Sequence, residues 1–393
     1  MSATEISLGR QLLERKTQGK KFPNALQRTL LSWRWWLGRK EDLGPPPQLT
    51  VAVLIPAYNE EKSIAATITA VLNQDHPLIT QIIVIDDCST DRTNEIAQGF
   101  VRSHGITLMR PEKNLGTKAR AQNFAIPQVK AQILATIDGD TILEPDAISK
   151  ALPYFNDPRT GATCGFVVPQ FSKSMWERGR VLEYLYAFTI IKSAQEHLFS
   201  ILVASGCFTL FDFDIIKAYG GFDERTWGED MDMTWRMMED GYLIRFASAA
   251  VCRVVDPPDY RTFKSQVTRW SHSFLQNIKV RHYNLFRLSF RLGLVAYFYL
   301  IWQFVGPVWV PITVWYLSTD TWRAAAWLAG FYGIMVVLPG MYKGHQLGFP
   351  PRLILRSIGP FFLIQFVNIY FFGKAVTNEW IRGVSITQWE KGH

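Results

Sequence analysis

Hydrophobic and polar positions follow three different patterns along the chain. Residues 1–48 are mostly polar and basic and close with a Gly-Pro-Pro-Pro run at 44–47, a strong breaker of regular structure. From 49 to 285, short β-branched runs at 51–55, 82–85 and 133–137 alternate with helical stretches such as 61–73 and 91–103. Strand and helix alternating at this spacing predict an α/β domain with a parallel sheet covered by helices on both faces.

Three long segments without a charged side chain follow the alternating region. They cover residues 292–318, 324–342 and 357–373. A helix needs about 20 apolar residues to cross a bilayer, with a lower limit of about 17, so all three are long enough. The sequence thus predicts an N-terminal cytosolic or interfacial segment (1–48), a folded domain (49–285), about three transmembrane helices (286–373) and a C-terminal tail (374–393).

Lysine and arginine are distributed unevenly around the apolar segments. Four of them lie between residues 279 and 291 and three between 343 and 356, whereas the link between the first two segments carries only Arg323. Positive charge stays on the cytoplasmic side, so we expect an integral protein of the cytoplasmic (inner) membrane with its large domain in the cytoplasm. A third complete crossing would put the tail 374–393 outside, and a re-entrant third segment would keep it inside.

Two other segments have an amphipathic pattern. Residues 30–37 interleave tryptophan with arginine, which suits either a segment at the membrane interface or a helix docked on the neighbouring domain. Residues 181–204 place their apolar positions on one helical face, with Glu183, Lys192 and Glu196 mostly elsewhere. This pattern predicts a helix that lies on the bilayer or, alternatively, in the core.

Composition narrows the class of protein. Of the 393 residues, 48% are hydrophobic and 19% are charged, which excludes a disordered chain. The four cysteines are far apart, which excludes a disulfide scaffold and a zinc ribbon and fits a reducing compartment. The net charge of +8 gathers near the apolar segments, where anionic lipid attracts cations, and no motif predicts nucleic-acid binding. No secretory signal is visible, so we expect the chain to start in the cytosol.

Polar side chains follow the first two strands of the predicted sheet. The run PAYNEE ends the first strand, and DDCSTD ends the next. Ligands bind at the carboxyl ends of strands in open α/β sheets, where carboxylates accept hydrogen bonds from a nucleoside and Tyr58 can stack on a base. The alternative, turn residues that cap the following helices, fits Ser89 and Asp91 better than the adjacent Asp86 and Asp87.

Two further segments carry groups suited to a diphosphate. Residues 114–123 open a helix with Lys118 and Arg120 near its N-terminal turn, where anions bind favourably; because the two are two residues apart, we expect only one to reach a phosphate. Asp138 and Asp140, separated by a glycine at the end of a strand, offer hard oxygens to a divalent cation. Its remaining ligands would come from phosphates and water.

The end of the domain supplies two more candidates. Asp230, in a Gly-Glu-Asp motif, precedes a helix predicted at 231–238 and can serve as a general base on an acceptor hydroxyl, as a helix cap, or as both. Gln266, Arg269 and Trp270 lie at positions i, i+3 and i+4, on one helical face. An amide, a guanidinium and an indole together suit phosphates and a sugar ring.

The order of these motifs resembles family 2 glycosyltransferases of the GT-A fold. The series over residues 50–285 is PAYNEE, DDCSTD, NLGTKARAQN, IDGD, SGC, GED and QVTRW. It is most similar to the membrane-integrated branch that includes cellulose, chitin, hyaluronan and poly-N-acetylglucosamine synthases, and the run GEDMDMTW is most similar to the last of these. The resemblance implies a GT-A (Rossmann-like) domain followed by a C-terminal transmembrane helical region. Because the N-terminal spans of most such synthases are not seen, we also expect a partner subunit or an oligomer to complete an export path.

The resemblance implies a role for each motif. The donor nucleotide would be held by Ala57, Tyr58, Glu60, Asp87, Lys118, Asp138, Gln266, Arg269 and Trp270. The metal would be held by Asp138 and Asp140, and the acceptor by Ser205, Gly206, Cys207, Glu229 and Trp270. Asp230 would be the catalytic base.

The implied activity is that of an inverting glycosyltransferase dependent on a UDP-sugar and on Mg²⁺ or Mn²⁺. It would move a sugar of the N-acetylglucosamine or glucose type to a growing β-linked polysaccharide. The alternative is transfer of a single sugar to a lipid, a polyprenyl phosphate or a glycolipid. A third interpretation is a non-catalytic sugar-binding protein on the same fold. The complete set of carboxylates argues against it, because binding alone requires no base.

Overall fold

The computed structural model describes residues 3–18, 43–280, 293 and 321–384. Its strands are β1 (Val51–Ala57), β2 (Ile79–Asp86), β3 (Thr107–Met109), β4 (Ile133–Ile137), β5 (Thr141–Leu143), β6 (Thr160–Pro169), β7 (Phe208–Asp212) and β8 (Leu243–Val254). Within the described residues they form one sheet in the order β3-β2-β1-β4-β7-β6-β8-β5.

The first half of the sheet is parallel, as the sequence predicts. β1 pairs with β2 and with β4, and β2 pairs with β3. The side chains of β1 and β4 are almost all apolar and buried, which is typical of central strands covered on both faces. Ala57 and Asp86 are partners in the β1–β2 register, so the two polar segments that follow these strands begin side by side.

The second half of the sheet is mixed, so the prediction of a parallel sheet is wrong there. β7 runs antiparallel to β4 and β6, and β5 runs antiparallel to β8, whereas β6 and β8 are parallel. β7 lies between β4 and β6 and runs antiparallel to both, so no later strand among the described residues pairs in parallel with the first half of the sheet. The strand–helix alternation in the sequence therefore holds only as far as β4.

Helices surround the sheet and continue beyond it. They are α1 (Ala3–Thr17), α2 (Ile64–Leu72), α3 (Thr93–His104), α4 (Lys118–Ala125), α5 (Ala147–Ala151), α6 (Met175–Tyr186), α7 (Ser193–His197), α8 (Phe213–Ala218), α9 (Glu229–Glu239), α10 (Tyr260–Val280), α11 (Thr321–Tyr332), α12 (Leu338–Gln346) and α13 (Pro351–Val376). The helices predicted at 61–73, 91–103 and 231–238 are α2, α3 and α9.

The amphipathic helix expected over residues 181–204 is a continuous helical segment made of α6, a π-helical turn at Ala187–Lys192 and α7, and it ends at His197. Most of its apolar positions lie in the core, as the alternative interpretation requires. Lys192 and Glu196, which the sequence places off the apolar face, are buried as well. Glu196 tolerates burial because Arg245 pairs with it at 2.7 Å.

The apolar end of the chain is helical where it is described. Within the described residues, one helix, Pro351–Arg382, is long and apolar enough to cross a membrane, and it contains the predicted segment 357–373. The predicted segment 324–342 falls within α11, a π-helical turn and α12, whereas 30–37 and, except for residue 293, 292–318 lie outside the described residues. The transmembrane region stays a prediction, since a long core helix has the same length and composition as a span.

One face of α13 packs against the sheet domain over most of its length. Pro360 and Ile364 lie beside Gly179 of α6. Further along, the Phe372 ring lies 6.2 Å from the Phe274 ring of α10. A polar contact interrupts this apolar face, because Gln365 and Asn368 both donate hydrogen bonds to the Glu183 carboxylate, at 3.1 and 2.9 Å.

The opposite face of this helix is exposed and apolar in its middle. The exposed apolar side chains follow helical spacing and are Leu355, Leu363, Phe366 and Tyr370. Exposed cations, Arg352, Arg356 and Lys374, lie at the two ends of this stripe. An apolar stripe with basic ends is typical of a helix that faces lipid.

Candidate functional site

The loops that follow β1 and β2 are joined by hydrogen bonds. Asn59 has a left-handed φ of 55°, and its side-chain oxygen accepts from the Thr90 N–H at 2.8 Å. The Asn59 N–H donates to Ser89 Oγ at 2.9 Å, and the Glu60 N–H donates to Thr93 Oγ1 at 2.7 Å. These bonds hold the predicted nucleoside-binding loop against the loop that carries the two aspartates.

The adjacent aspartates at the end of β2 have different environments. Asp86 is fully buried and forms an ion pair with Arg110. Asp87 accepts the Leu115 N–H at 2.7 Å, and its own N–H donates to the Ala57 carbonyl at 2.9 Å. Burial raises the pKa of Asp87, although backbone hydrogen bonds oppose the shift. Asp86 therefore stabilises its own loop, while Asp87 joins β1 to the segment that leads into α4.

Lys118, the first residue of α4, is at the centre of the candidate site. Its Nζ forms an ion pair with Asp138, donates to the Gly206 carbonyl at 3.0 Å and lies 3.6 Å from Glu229 Oε1. Burial by itself lowers the pKa of Lys118, but the nearby carboxylates, Asp138 first, outweigh burial and raise it above the ordinary lysine value. Lys118 is therefore a cation held among acceptors.

Arg120 points away from this group. Its guanidinium pairs with Glu224 at 3.1 Å. The backbone N–H of Arg120 donates to the hydroxyl of Thr117, the N-cap of α4, at 3.3 Å. The expectation that only one of the two cations faces the site agrees with this geometry.

The turn at 138–140 lies against the loop after β1. A Cβ on Gly139 would come within 2.9 Å of Glu60 Cγ and 3.3 Å of the Pro56 carbonyl, so this close approach requires glycine. The two loops therefore pack closely together, and Glu60 lies beside Gly139, which stands between Asp138 and Asp140 in the sequence.

Asp138 and Asp140 carry the oxygen donors that a hard divalent cation prefers. Both are half-buried, and no group of three His, Cys, Asp or Glu suited to a metal ion occurs among the described residues. Two carboxylates fit a Mg²⁺ or Mn²⁺ ion only if a ligand such as a diphosphate, together with water, completes its coordination. The donor set therefore fits a cation that binds with its substrate, and Lys118 already supplies positive charge beside Asp138.

The predicted acceptor segment 205–207 meets the start of α9 at Asp230. The Gly206 N–H donates to Asp230 Oδ2 at 2.9 Å, and the Met231 N–H donates to Oδ1 at 2.7 Å. A Cβ on Gly206 would lie 2.8 Å from Lys118 Nζ and 3.1 Å from Asp230 Oδ2. Lys118, Gly206 and Asp230 are therefore packed together, with the glycine between the cation and the carboxylate.

Glu229 is buried next to this group and has a perturbed pKa. Burial raises the pKa of Glu229 to about 7; Lys118 opposes the shift and Asp230 adds to it. α9 begins at Glu229 with Gly228 as its N-cap, so Asp230 is not the cap residue. The family resemblance implies Glu229 only as an acceptor contact, and no local pattern in the sequence signals this shift.

The three side chains predicted to act together on α10 divide between two neighbours. Gln266 accepts from the Arg180 guanidinium at 2.8 Å, and the Trp270 ring lies 4.7 Å from the same group. Arg269 is half-buried, forms no ion pair within the described part of the chain, and lies one turn before Ser273, which packs beside Gly228. Gln266 and Trp270 therefore face α6.

Arg180 is a buried cation that sequence analysis missed. It forms an ion pair with Glu183, lies 3.8 Å from Asp256 Oδ1 and stacks on the Phe263 ring at 4.6 Å. Burial opposes its charge, but Glu183 first and then other neighbours raise its pKa. Burial raises the pKa of Asp256 to about 7, against the effect of Arg180. The one local sign of this cluster in the sequence is the position of Arg180, directly before the apolar stripe that starts at residue 181.

Lys192 is a second buried cation that was not identified as a site residue. It ends the π-helical turn, donates to Ser205 Oγ at 2.7 Å and lies 4.7 Å from the Phe188 ring centre. Within the described residues it forms no ion pair with a carboxylate. π-helical turns occur frequently at functional sites, and this one places an ammonium beside the predicted acceptor segment.

A family model and several known proteins are similar to this chain. The family model described as Glycosyl transferase family 2 matches residues 52–220. Residues 52–220 are a family 2 glycosyltransferase domain. The match includes both strand-end loops, Lys118, the turn at 138–140 and the segment 205–207, whereas Asp230 and α10 lie beyond it. The family resemblance found in the sequence is confirmed.

Curated relatives of this glycosyltransferase domain are named poly-beta-1,6-N-acetyl-D-glucosamine synthases. One from Staphylococcus epidermidis is 28% identical over 277 residues, which are 68% of this chain and 64% of the relative. One from Staphylococcus aureus strain COL is 26% identical over 294 residues, 72% of this chain and 68% of the relative. The chain thus spans less than two thirds of the length of the S. epidermidis protein.

A solved structure shares the overall fold. The mannosyltransferase PcManGT from Pyrobaculum calidifontis, in complex with GDP-Man and Mn²⁺, superposes with a TM-score of 0.60 at 19% identity, over 96% of this chain and 99% of that one. The predicted α/β GT-A fold is confirmed, with a mixed sheet in place of the expected parallel one.

Proposed function

We propose that the chain is a membrane-bound inverting glycosyltransferase that moves a sugar of the N-acetylglucosamine or glucose type from a UDP-sugar to a growing β-linked polysaccharide. The contact of Gly206 with Asp230, with Lys118 beside both, carries this proposal. It combines a carboxylate, a cation and the predicted acceptor segment in one place. The names of the staphylococcal relatives support polymer synthesis over the alternative, transfer of one sugar to a lipid.

Asp230 is suited to act as the general base. Both of its oxygens accept backbone N–H groups, which fixes the plane of the carboxylate. In the proposed reaction the acceptor hydroxyl gives its proton to Asp230 while its oxygen bonds to C1 of the donor sugar. The bond from C1 to the UDP oxygen breaks on the opposite face, UDP leaves with the bonding electrons, and an α-linked donor gives a β-linked product. General base catalysis typically contributes about 10²–10⁴-fold to such a step.

The strand-end loops and α4 are assigned to the donor. Nucleoside contacts are proposed for Ala57, Tyr58, Glu60 and Asp87. Lys118 is proposed to face the diphosphate, with Arg269 as a second cation. Asp138 and Asp140 would hold Mg²⁺ or Mn²⁺, which when bound offsets the negative charge of the leaving UDP.

The acceptor is assigned to the surroundings of Asp230. Contacts with it are proposed for the backbone of Ser205, Gly206 and Cys207 and for the buried Glu229. Trp270 is 43% exposed and packed on Arg180, so its ring offers a fixed apolar surface against which a sugar ring can stack. Gln266 is proposed to act through Arg180, since its side-chain oxygen is occupied by that guanidinium.

We propose that the catalytic domain (49–285) stays on the cytoplasmic side of the inner membrane, with the helices of 286–373 in or on the bilayer. The exposed apolar stripe of α13, with cations at its ends, supports lipid contact. Glu379, beyond the end of α13, contacts His272 of α10 at 2.7 Å. A contact with the catalytic domain at this point supports the re-entrant alternative, in which the tail 374–393 stays in the cytoplasm.

The test is a donor panel with product sizing. The full chain in membranes or detergent is incubated with UDP-N-acetylglucosamine, UDP-glucose, UDP-galactose or UDP-glucuronate, with Mn²⁺ or Mg²⁺ and an oligosaccharide acceptor. We expect UDP release with one donor and a long hydrophilic product. A singly glycosylated, lipid-extractable product would support the lipid alternative, and no UDP release with any donor would contradict the enzyme proposal.

A further inference from the structure

Glu379 is a buried carboxylate in the π-helical turn Thr377–Arg382 that follows α13. Its Oε1 lies 2.7 Å from His272 Nδ1 and accepts from the Gln276 side-chain amide at 3.0 Å. The Lys279 ammonium donates to the Glu379 backbone carbonyl at 2.9 Å. Burying a carboxylate is costly unless donors surround it; His272 and Gln276 supply such donors, and the Lys279 ammonium lies 3.9 Å from Oε2. The end of the apolar helix is therefore fastened to α10 at this residue.

The same stretch of α10 holds the loop that leads to the candidate base. Gln276 accepts the Trp227 N–H through Oε1 at 3.3 Å, and Asn277 donates to the Gly228 carbonyl at 3.0 Å. A Cβ on Gly228 would lie 2.7 Å from Asn277 Nδ2, so the loop touches the helix directly. Two residues further on is Asp230.

Gln276 joins these two contacts through a single amide group. A glutamine side chain has one donating end and one accepting end. An ionised Glu379 can only accept, so it fixes the NH₂ end of Gln276 toward itself and leaves the oxygen for the Trp227 N–H. If position 379 also carried an amide, Gln276 could turn over and place its NH₂ group against the Trp227 N–H. Two donors would then face each other, and the bond to the loop would be lost.

We propose that Glu379 is a positioning residue for Asp230, acting through the orientation of the Gln276 amide on the loop at 227–230. This inference rests on the proposed function, in which Asp230 is the base. It makes the placement of the base depend on the docking of the segment that ends the apolar helix. A membrane-facing helix and the reaction centre are thereby coupled through one buried carboxylate.

The test uses the full chain in detergent and compares Glu379→Gln with Glu14→Gln, which removes the same charge from an exposed side chain of α1. We expect Glu379→Gln to lower kcat by about three- to tenfold, the value of one hydrogen bond, with the donor KM within about twofold. Hydrogen exchange of the Trp227 amide should speed up by a similar factor. Glu14→Gln should change neither.

Exchanging the carboxylate and the amide between positions 379 and 276 tests whether the orientation of the side chain at 276 matters, or only the loss of its contact with residue 379. In the double variant Glu379→Gln with Gln276→Glu, the carboxylate at 276 can accept both the Trp227 N–H and the new amide at 379. We expect it to restore slow exchange at Trp227 and most of kcat. Unchanged Trp227 exchange in Glu379→Gln, or no recovery in the double variant, would overturn the proposal.

Two further measurements test the coupling if the Glu379→Gln variant does not fold or if the unaltered chain is inactive. If Glu379→Gln does not fold, Gln276→Leu removes the side chain that joins Glu379 to the Trp227 N–H and leaves the contacts of His272 and Lys279 with Glu379 in place. Hydrogen exchange of the Trp227 amide should then speed up in the same way. Slow exchange in Gln276→Leu would contradict a role for Gln276 in holding the loop. If the unaltered chain shows no transfer, the proposed function fails, whereas Trp227 exchange still tests the coupling itself.

Discussion

The backbone N–H of Gly206 donates a 2.9 Å hydrogen bond to Oδ2 of Asp230. Thr234 strengthens the same junction, since its hydroxyl donates to the Asp230 carbonyl at 2.7 Å and accepts the Ala204 N–H at 2.9 Å. The candidate base is thus positioned by the backbone that precedes β7. Its geometry therefore depends on the conformation of residues 204–206 as much as on α9.

Asp230→Asn should abolish most turnover while leaving the nucleotide in place. The amide cannot take the acceptor proton, so we expect kcat to fall by about 10²-fold or more. UDP affinity, measured by calorimetry, should stay within a few-fold because the proposed nucleoside contacts lie on other loops. Asp214→Asn, at an exposed position of α8, is the matched control. Equal losses of UDP binding and turnover would indicate a structural role for Asp230.

Gly206→Ala should disturb the site without adding a charge. Its new methyl group would lie 2.8 Å from Lys118 Nζ and 3.1 Å from Asp230 Oδ2, so the lysine must move. We expect kcat/KM to fall by about tenfold or more, since a misplacement of about 1 Å can cost about 10²-fold. Gly99→Ala, where a Cβ meets nothing within 4 Å, should leave kcat/KM unchanged. Wild-type kcat/KM in Gly206→Ala would show that this contact does not matter for the reaction.

The strand-end loops could be predicted because their signals are local. The β-branched run at 51–55 and the polar residues directly after it are neighbours in sequence, and a parallel sheet brings such ends together. Sequence reasoning also separated Lys118 from Arg120 correctly, since residues two apart on a helix face different sides. The structure places Glu60 against Gly139, which separates Asp138 from Asp140.

Buried charges could not be predicted because their partners are distant in sequence. Glu196 looks like a surface residue until Arg245 is placed beside it by β8. Arg180 depends in the same way on Gln266, and Glu379 depends on His272. The antiparallel pairing of β7 with β4 could not be predicted either, because the apolar run at 208–212 does not by itself fix the direction of a strand.

Glu229 should make stability fall as pH rises toward neutrality. Its pKa is about 7 in the folded chain against an ordinary value of 4.5, so the folded state binds the proton more tightly. The free energy of unfolding therefore decreases between about pH 4.5 and pH 7 as this proton is lost. Glu229→Gln removes this titration. The Tm of the variant minus the Tm of the wild type should therefore increase by a few degrees between pH 5 and pH 8. Parallel Tm curves for the two proteins would contradict the shifted pKa, and Glu14→Gln serves as the control for charge removal.

Asp140→Ala should weaken nucleotide binding only when a divalent cation is present. Within the described residues, Asp140 belongs to no group of three His, Cys, Asp or Glu side chains that could hold a metal ion. We therefore expect its carboxylate to bind a cation only when a diphosphate supplies further ligands. We expect the UDP affinity in Mn²⁺ to fall by about tenfold or more, the value of one lost charge-assisted contact, and the affinity in EDTA to stay as in the wild type. Titration calorimetry with and without EDTA measures both. The matched control is Asp146→Ala, which removes a half-buried aspartate whose carboxylate pairs with Lys150 on the next helix turn. Unchanged affinity at saturating Mn²⁺ would move the cation to other ligands, and an equal loss in EDTA would mean that Asp140 shapes the nucleotide loop itself.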